Sequence, residues 1–367
     1  MGQTVIRFGD PKAVKVWSGR LFNETDKQAY FTKFEGTGDN SIIQRKTDIE
    51  SAAGDRISFD LSVKLRGKPT SGDGRIKGKE EQLKFFTDEV IIDQLRHAVS
   101  AGGRMTRKRT EHDLRTVAKD RLSEYWAKYM DELKFIYLSG ARGINEDFYE
   151  DVDYTGHADN PLRAPDSGHL MFGGAATSKA SLTATDTMSR SLVERAVNKA
   201  RMMQARDPKA TSLVPVTVGS EKHYVMLMSP DQETDLRNET GERGWLEVQK
   251  AAAGAEGKAN PIFRGGLGMI NNVVLHSHES AIRFKDYGAG SNVHAGRALF
   301  MGRQAAVIAY GNGGGGMRFN WKEETDDYGN EPTVAAGTII GITKTRFNSR
   351  DFGVVSIDTA AKDPNAA

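Results

Sequence analysis

The amino-acid sequence predicts an α+β fold with parts that reach beyond their own core, and three observations point there. Residues 56–66 alternate strictly, with Ile57, Phe59, Leu61, Val63 and Leu65 on one side and polar residues on the other, the period-2 mark of a half-buried strand. Between Leu114 and Tyr137 apolar residues recur every three to four positions, the mark of a helix. Beyond residue 186, helical and strand-like runs are mixed without a βαβ series, so no parallel nucleotide-binding sheet is expected.

In chain order, residues 1–50 show no sustained period and read as an arm with extended pieces and one short helix near 27–34. The alternating strand at 56–66 runs into the turn-rich stretch 67–74, and residues 75–84 are expected to return as the second strand of a long hairpin. Arg56, Lys64, Arg66, Lys68, Arg75, Lys77 and Lys79 stand against Asp60 and Asp73, a local charge of +5. A hairpin this polar is marginal on its own and reads either as a solvated loop or as a ribbon laid on another subunit.

A short amphipathic helix is expected at 85–99 and ends at Gly102-Gly103. The stretch Thr110-Glu111-His112-Asp113 resembles a capping box with Asp in place of Glu, and Gly140 is the stop signal. A helix over 110–139 would be about 45 Å long, enough to cross a whole subunit. Residues 141–185 read as a long loop region anchored at Leu170-Met171-Phe172. A second amphipathic helix at 186–206 points Met188, Leu192, Val193, Ala196, Val197, Ala200 and Met203 inward. Strands are expected at 214–218, 223–228, 269–276, 298–301, 305–310, 334–345 and 353–358, with a short helix at 231–237.

Composition narrows the function classes. The chain has 367 residues, is 38% hydrophobic and holds 39 glycines. Its mean hydropathy is −0.53. It has no cysteine, which excludes disulfides, thiolate metal sites and cysteine nucleophiles. Residues 1–10 carry no basic-then-apolar signal pattern, and no stretch reaches the roughly 18 apolar residues of a membrane helix. A soluble protein that is not exported is expected. The formal net charge is +2, too small for a protein that coats nucleic acid over its whole surface.

Active-site chemistry is sparse. The glycine run at 311–316 lacks the Lys-Ser/Thr ending of a phosphate loop and reads as a flexible loop. His276 and His278 would share one strand face, but no third metal ligand is visible, so a surface or interface pair is expected. Asp147, Glu150, Asp151 and Asp153 do not match calcium-loop spacing and read as a solvated acidic loop. No cofactor is expected and no enzymatic activity.

Several ordered stretches carry a family resemblance: Tyr224-Val-Met-Leu-Met-Ser-Pro-Asp-Gln with Leu236-Arg237; Asn260-Pro-Ile-Phe-Arg-Gly-Gly-Leu-Gly-Met-Ile; Val273-Val-Leu-His-Ser-His; Arg297-Ala-Leu-Phe-Met-Gly-Arg-Gln-Ala-Ala-Val-Ile-Ala-Tyr-Gly; Trp321-Lys-Glu-Glu-Thr-Asp-Asp-Tyr-Gly; Phe347-Asn; and Asp351-Phe-Gly-Val-Val-Ser-Ile. Together, over roughly 110–358, they resemble the major capsid proteins of tailed bacteriophages of the N4-like podovirus type. That family is similar in fold to the Hong Kong 97 phage capsid protein.

The resemblance implies an N-terminal arm (1–50), an E-loop hairpin with a flanking helix (51–100), and a P domain with a long spine helix and loop region (101–185). It further implies an A domain (186–330) and C-terminal P-domain strands with a tail (331–367). It implies a virion protein made and assembled in the bacterial host cytoplasm, forming pentamers and hexamers around double-stranded DNA without a membrane. Portal, scaffolding and decoration proteins would be partners. The hairpin cations would lie over an adjacent subunit, against Glu146, Asp147, Glu150, Asp151 and Asp153. Arg104, Arg107, Lys108 and Arg109, ahead of the long helix, read either as ordinary solvated charge or, in a shell protein, as contacts to packaged DNA phosphates or an acidic neighbour. The alternative from another class is a DNA-binding or nucleoid-type protein, which the small net charge disfavours; a third, an enzyme using the glycine run or the two histidines, would bind nucleotide or metal.

Overall fold

A computed structural model describes residues 21, 24–47, 54–62, 65, 67–100, 102–109, 114–206, 212–239, 266–311 and 318–364. Its core is organised by one helix, Leu114–Ser139, lying between two sheets. At 1.5 Å per residue it spans about 39 Å. From Tyr129 to Ser139 every residue is buried, so the helix is enclosed on all sides there. It stops at Gly140, whose φ is +67°, the left-handed exit that glycine tolerates. The expected capping box at 110–113 lies outside the described residues. A separate short helix, Arg104–Arg109, precedes it.

The larger sheet has eight strands. Gly268–Ile270, Val273–Ser277, Glu221–Met228, Val293–Met301, Val354–Ala360 and Leu170–Phe172 follow in that spatial order, with Arg283–Tyr287 on Val293–Met301 and Val216–Val218 on Glu221–Met228. The apolar run Tyr224-Val-Met-Leu-Met is buried throughout because its two faces meet different partners. Tyr224, Met226 and Met228 pack with the helix Arg190–Arg206 through Leu192, Val193, Ala196 and Val197. Val225 and Leu227 turn to the core shared with the long helix. The inward face expected for residues 188–203 is the one observed. Leu170-Met171-Phe172 is more than a loop anchor, since it pairs parallel with Ser356, Ile357 and Asp358.

The six-stranded sheet runs Glu35–Gly36, Ile43–Lys46, Ala306–Tyr310, Glu331–Lys344, Phe319–Asp326, with Asp93–Ser100 also on Glu331–Lys344. Residues read as an arm are woven in here. Ile43–Lys46 pairs parallel with Ala306–Ala309, and Phe31, Phe34, Ile42 and Ile43 are buried in the main core. The sheets also cross the boundaries expected from sequence. Residues 319–326 pair directly with 331–338 across position 330, whereas 354–360 join the other sheet.

Two expectations are corrected around the hairpin. Residues 85–99, expected as a helix, are two strands, Phe85–Ile91 and Asp93–Ser100. Residues 75–84, expected as the return strand, carry no strand, and Phe85–Ile91 pairs with Arg56–Ser62 instead. The alternation Phe86, Asp88, Val90 was masked by an aspartate at an inward position. Asp88 is tolerated there because Arg163 donates two hydrogen bonds to it at 2.6 and 2.9 Å and the Arg346 amide donates a third at 3.0 Å. Residues 75–84 have only Ile76 and Leu83 as apolar side chains and so lack a face to bury. The strand Phe319–Asp326 was also not foreseen, although its alternation of buried Phe319 and Trp321 with exposed Asn320 and Lys322 is a period-2 signal.

Charges inside the core are paired. Lys134 of the long helix contacts Glu35 at 2.5 Å, both almost fully buried. Burial works against its charge, but Glu35 and Asp131 hold Lys134 above the ordinary lysine range. Asp131 accepts the amides of Tyr30 and Phe31 at 2.6 and 3.1 Å, and Glu132 accepts those of Tyr149 and Glu150, both at 2.8 Å. Two carboxylates of one helix thus fasten two separate chain segments. Lys344 and Asp351 form a buried pair at 2.8 Å, and burial pulls the Lys344 ammonium down to about 8 in spite of its partner.

Candidate assembly surface

The hairpin root is fixed and its tip is not covered. Ile57, Phe59 and Val90 pack with Val307, Ala309, Phe347 and Phe352 on the six-stranded sheet side. Asn160 closes the edge, its amide oxygen accepting from the Ile91 N–H at 2.9 Å and its nitrogen donating to the Ile91 carbonyl at 2.7 Å. Beyond Ser62 and before Phe85 the described residues form loop and turns and are almost all exposed. Leu65, Ile76, Leu83 and Phe85 are 62, 66, 63 and 58% exposed, an uncommon concentration of bare apolar side chains on one projecting segment.

The predicted cations of this segment divide into three groups. Arg56 sits on the root strand and pairs with Glu89 at 3.3 Å in solvent. Lys68, Arg75, Lys77 and Lys79 are exposed on the tip. Lys64 and Arg66 lie outside the described residues. Leu65, expected on the half-buried side of the strand, is instead exposed, because the strand ends at Ser62; Ile76 and Leu83 were not singled out, and an isolated Ile and Leu in a polar run were their only signal.

The acidic loop is less uniform than its sequence. Glu146, Asp147, Asp151 and Asp153 are exposed, with Asp147 3.5 Å from Lys128. Glu150 turns inward, where the Tyr129 hydroxyl donates to it at 2.5 Å; burial first, then Glu150, drives the Tyr129 ionisation upward. Val152 and Tyr149 are exposed among these acids. On the helix Arg104–Arg109, Lys108 and Arg109 are exposed; the side chains of Arg104 and Arg107 lie outside the described residues.

The two histidines pack inward rather than standing as an exposed surface pair. His276 is fully buried and His278 partly so. They share one side of the chain, as expected, but the side faces the segment Tyr30–Phe34. His278 lies over Tyr30 and Phe135 with ring centroids at 4.3 and 5.1 Å, and His276 meets Phe34 at 5.2 Å. Burial lowers the His278 pKa. No cluster of three or more metal-ligating side chains occurs among the described residues. The glycine run begins at Gly311, whose amide donates to the Ile339 carbonyl, and residues 312–317 lie outside the described set.

The described surface therefore has exposed apolar and charged parts on the hairpin and the acidic loop, the profile of a subunit made to contact other subunits. Comparison with known proteins agrees. A family model described as phage capsid protein matches residues 5–363, and the chain belongs to that family. The major capsid protein of Pseudomonas phage KPP25 is 28% identical over 384 aligned positions, covering 94% of each chain. Among solved structures, the capsid of Ralstonia phage GP4 is 64% identical over 100% of both chains with a TM-score of 0.88. The capsid of cyanophage Pam1 is 22% identical over 91% of this chain and 93% of that one, with a TM-score of 0.69, which speaks to the fold.

The molecule is a phage major capsid protein, a structural subunit of an icosahedral head with the Hong Kong 97-type fold. The DNA-binding or nucleoid-type alternative draws no support from these relatives. The family is a structural class and not an enzyme class, and the protein is part of the virion.

Proposed function

We propose that the chain assembles in the host cytoplasm into pentamers and hexamers whose hairpins lie across neighbouring subunits, closing a head around double-stranded DNA. The hairpin over 56–91 takes the place of the E-loop, the helix Leu114–Ser139 that of the spine of the P domain, and the eight-stranded sheet with Arg190–Arg206 that of the A domain. The carrying observation is the tip at 65–85, where four large apolar side chains stand bare on a root that is well packed. A segment with no core of its own gains stability when a neighbour covers it.

Its cations would meet the exposed acids Glu146, Asp147, Asp151 and Asp153 of an adjacent subunit, with charge complementarity setting register more than affinity. Many such contacts per shell act together, so each one can be weak. Lys108 and Arg109, with Arg104 and Arg107, would touch DNA phosphates without sequence preference. Portal, scaffolding and decoration proteins complete the partners of this reading. Reversing Lys64, Arg66 and Lys68 to Glu should lower the yield of particles seen by negative-stain microscopy. An unchanged yield would remove the hairpin cations from the assembly contact.

A further inference from the structure

A second pair of complementary surfaces stands apart from the hairpin. The first is a turn between the strands Phe319–Asp326 and Glu331–Lys344. At its tip Tyr328 is fully exposed, with Asp327 and Tyr328 at φ +47° and +54°. The same left-handed pair occurs at Ala158-Asp159, Asn271-Asn272 and Asn348-Ser349; at 327–328 it accompanies an aromatic ring held in solvent. Asp326, Asp327 and Glu331 flank the ring. The described contacts of Asp326 and Asp327 are hydrogen bonds from the Asp327 amide at 2.8 Å and from the Asn330 side chain at 3.1 Å; among the described residues none of the three acids is in a salt bridge.

The second surface is an open groove of 1020 Å³ between the helix Arg190–Arg206, the edge strand Leu170–Phe172 and the turn at Asn348-Ser349. Arg195, Lys199, Arg206 and Arg350 line it over an apolar floor that includes Met171, Phe172 and Met203. Among the described residues Arg195 and Lys199 donate to the carbonyls of Gly174 and Leu170, and Arg206 to the Asn198 side chain. None of those three faces a carboxylate at salt-bridge distance. The one acid in the lining, Asp166, is already engaged. It lies 2.8 Å from His169 Nδ1 and accepts the Asp351 amide at 2.7 Å.

We propose that the groove receives the acidic Tyr328 tip of a second copy of this chain. The contact is heterologous, because tip and groove lie on different sheets of the subunit, and such contacts repeat around a ring or across a closed shell. The chemistry matches part by part. The phenol ring fills the Met171–Phe172–Met203 floor and acts as the anchor, as aromatic residues do at interface centres. Asp326, Asp327 and Glu331 meet Arg195, Arg206 and Lys199 at the rim. A nucleic acid would also find cations here, but it carries no counterpart for a recessed apolar floor with four cations around it, and the chain itself presents one.

This inference rests on the assembly reading above. The chain contains no cysteine, so introduced thiols report contacts without background. Particles assembled from the Tyr328→Cys/Asn198→Cys variant and oxidised mildly should give covalent dimers and higher ladders on a denaturing gel. Tyr328→Cys/Val152→Cys should give at least tenfold less. Particles that form normally but show no ladder for the first variant overturn the tip-to-groove contact while leaving the assembly reading intact. If the cysteine variants do not assemble, carbodiimide treatment of particles of the unaltered protein decides: a Lys199 cross-link to Asp326, Asp327 or Glu331 between differently isotope-labelled copies supports the contact, and its absence overturns it. Unaltered protein that never forms particles sinks both readings. An Arg195→Glu/Arg206→Glu variant that assembles fully but loses nucleic-acid binding in a filter assay would reassign the groove to nucleic acid and overturn the proposal.

Discussion

Changing Asp358 to Asn should expose how much of this fold hangs on one buried ion pair. Arg297 and Asp358 stand directly opposite each other on neighbouring antiparallel strands, and both are almost fully buried. Arg297 donates to both carboxylate oxygens at 2.7 and 2.8 Å and to the Ser139 carbonyl at the end of the long helix at 2.9 Å. The Tyr287 hydroxyl donates to Asp358 at 2.7 Å. Burial opposes the guanidinium charge, yet Asp358 raises the Arg297 pKa further. Asp358→Asn keeps the shape and removes the counter-charge, leaving a buried cation uncompensated at a cost of about 3–5 kcal/mol. Against a total stability of roughly 5–15 kcal/mol that is a large fraction.

Arg297→Met with Asp358→Asn removes both charges and should cost about 1–2 kcal/mol, because the remaining desolvation penalty goes with them. Arg297→Met alone strands the buried carboxylate and should cost about 3–5 kcal/mol as well, so the double variant should be several kcal/mol more stable than the sum of the two singles. Calorimetric unfolding of the unaltered protein, both single variants and the double variant, all in one assembly state, measures the cycle. A double variant no more stable than the sum of the two singles would refute the argument. So would an Asp358→Asn protein within about 0.5 kcal/mol of the unaltered one.

Two further outcomes follow from local geometry. Gly140→Ala should destabilise by well over the roughly 1–2 kcal/mol of a left-handed alanine, since an added Cβ would sit 2.0 Å from the Arg163 carbonyl oxygen; Gly38→Ala, with nothing within 4 Å, should unfold close to the unaltered temperature in the same scan. Asp235 has a buried carboxylate oxygen with no hydrogen-bond donor among the described residues, and burial with repulsion from Asp231 pushes its pKa up to about 6. The folded state thus holds a proton that the unfolded chain releases near 3.9, so stability falls as pH rises from about 4 through 6. Asp235→Asn should therefore raise the melting temperature at pH 8, by an amount equivalent to about 1 kcal/mol once solvent screening is allowed for, and leave it unchanged at pH 4.

How far the fold was legible varies with where each signal came from. The long helix and the Arg190–Arg206 helix declared themselves because their apolar spacing records which face is buried, and packing then used that face. The strand expected at 56–66 was equally plain, though it ends at Ser62. Residues 85–99 misled because polar Asp88 and His97 interrupt the apolar alternation of the two strands, Asp88 at a buried position and His97 at an exposed one between Leu95 and Val99. Asp88 is explained by Arg163, 75 positions away, and His97 stacks on Tyr125 at 4.1 Å. No local window contains either partner. The same holds for the candidate surface. The positive charge of the hairpin was countable from composition, but the bare Ile76 and Leu83 and the projecting Tyr328 could be recognised only once their surroundings were known to be empty.

Local periodicity by itself determined the α+β class, the long central helix and the inward residues of the second one, because side-chain direction is fixed by backbone period. The ordered motifs of the second half carried the likeness to phage capsid proteins. Only the tertiary structure decided that residues 35–36 and 43–46 are sheet and that the sheets ignore the linear boundaries. It alone placed the two histidines inside and paired each buried charge of the long helix with a segment far away in sequence. These depend on contacts between distant residues, whose free energy appears only when the chain brings them together and water is excluded.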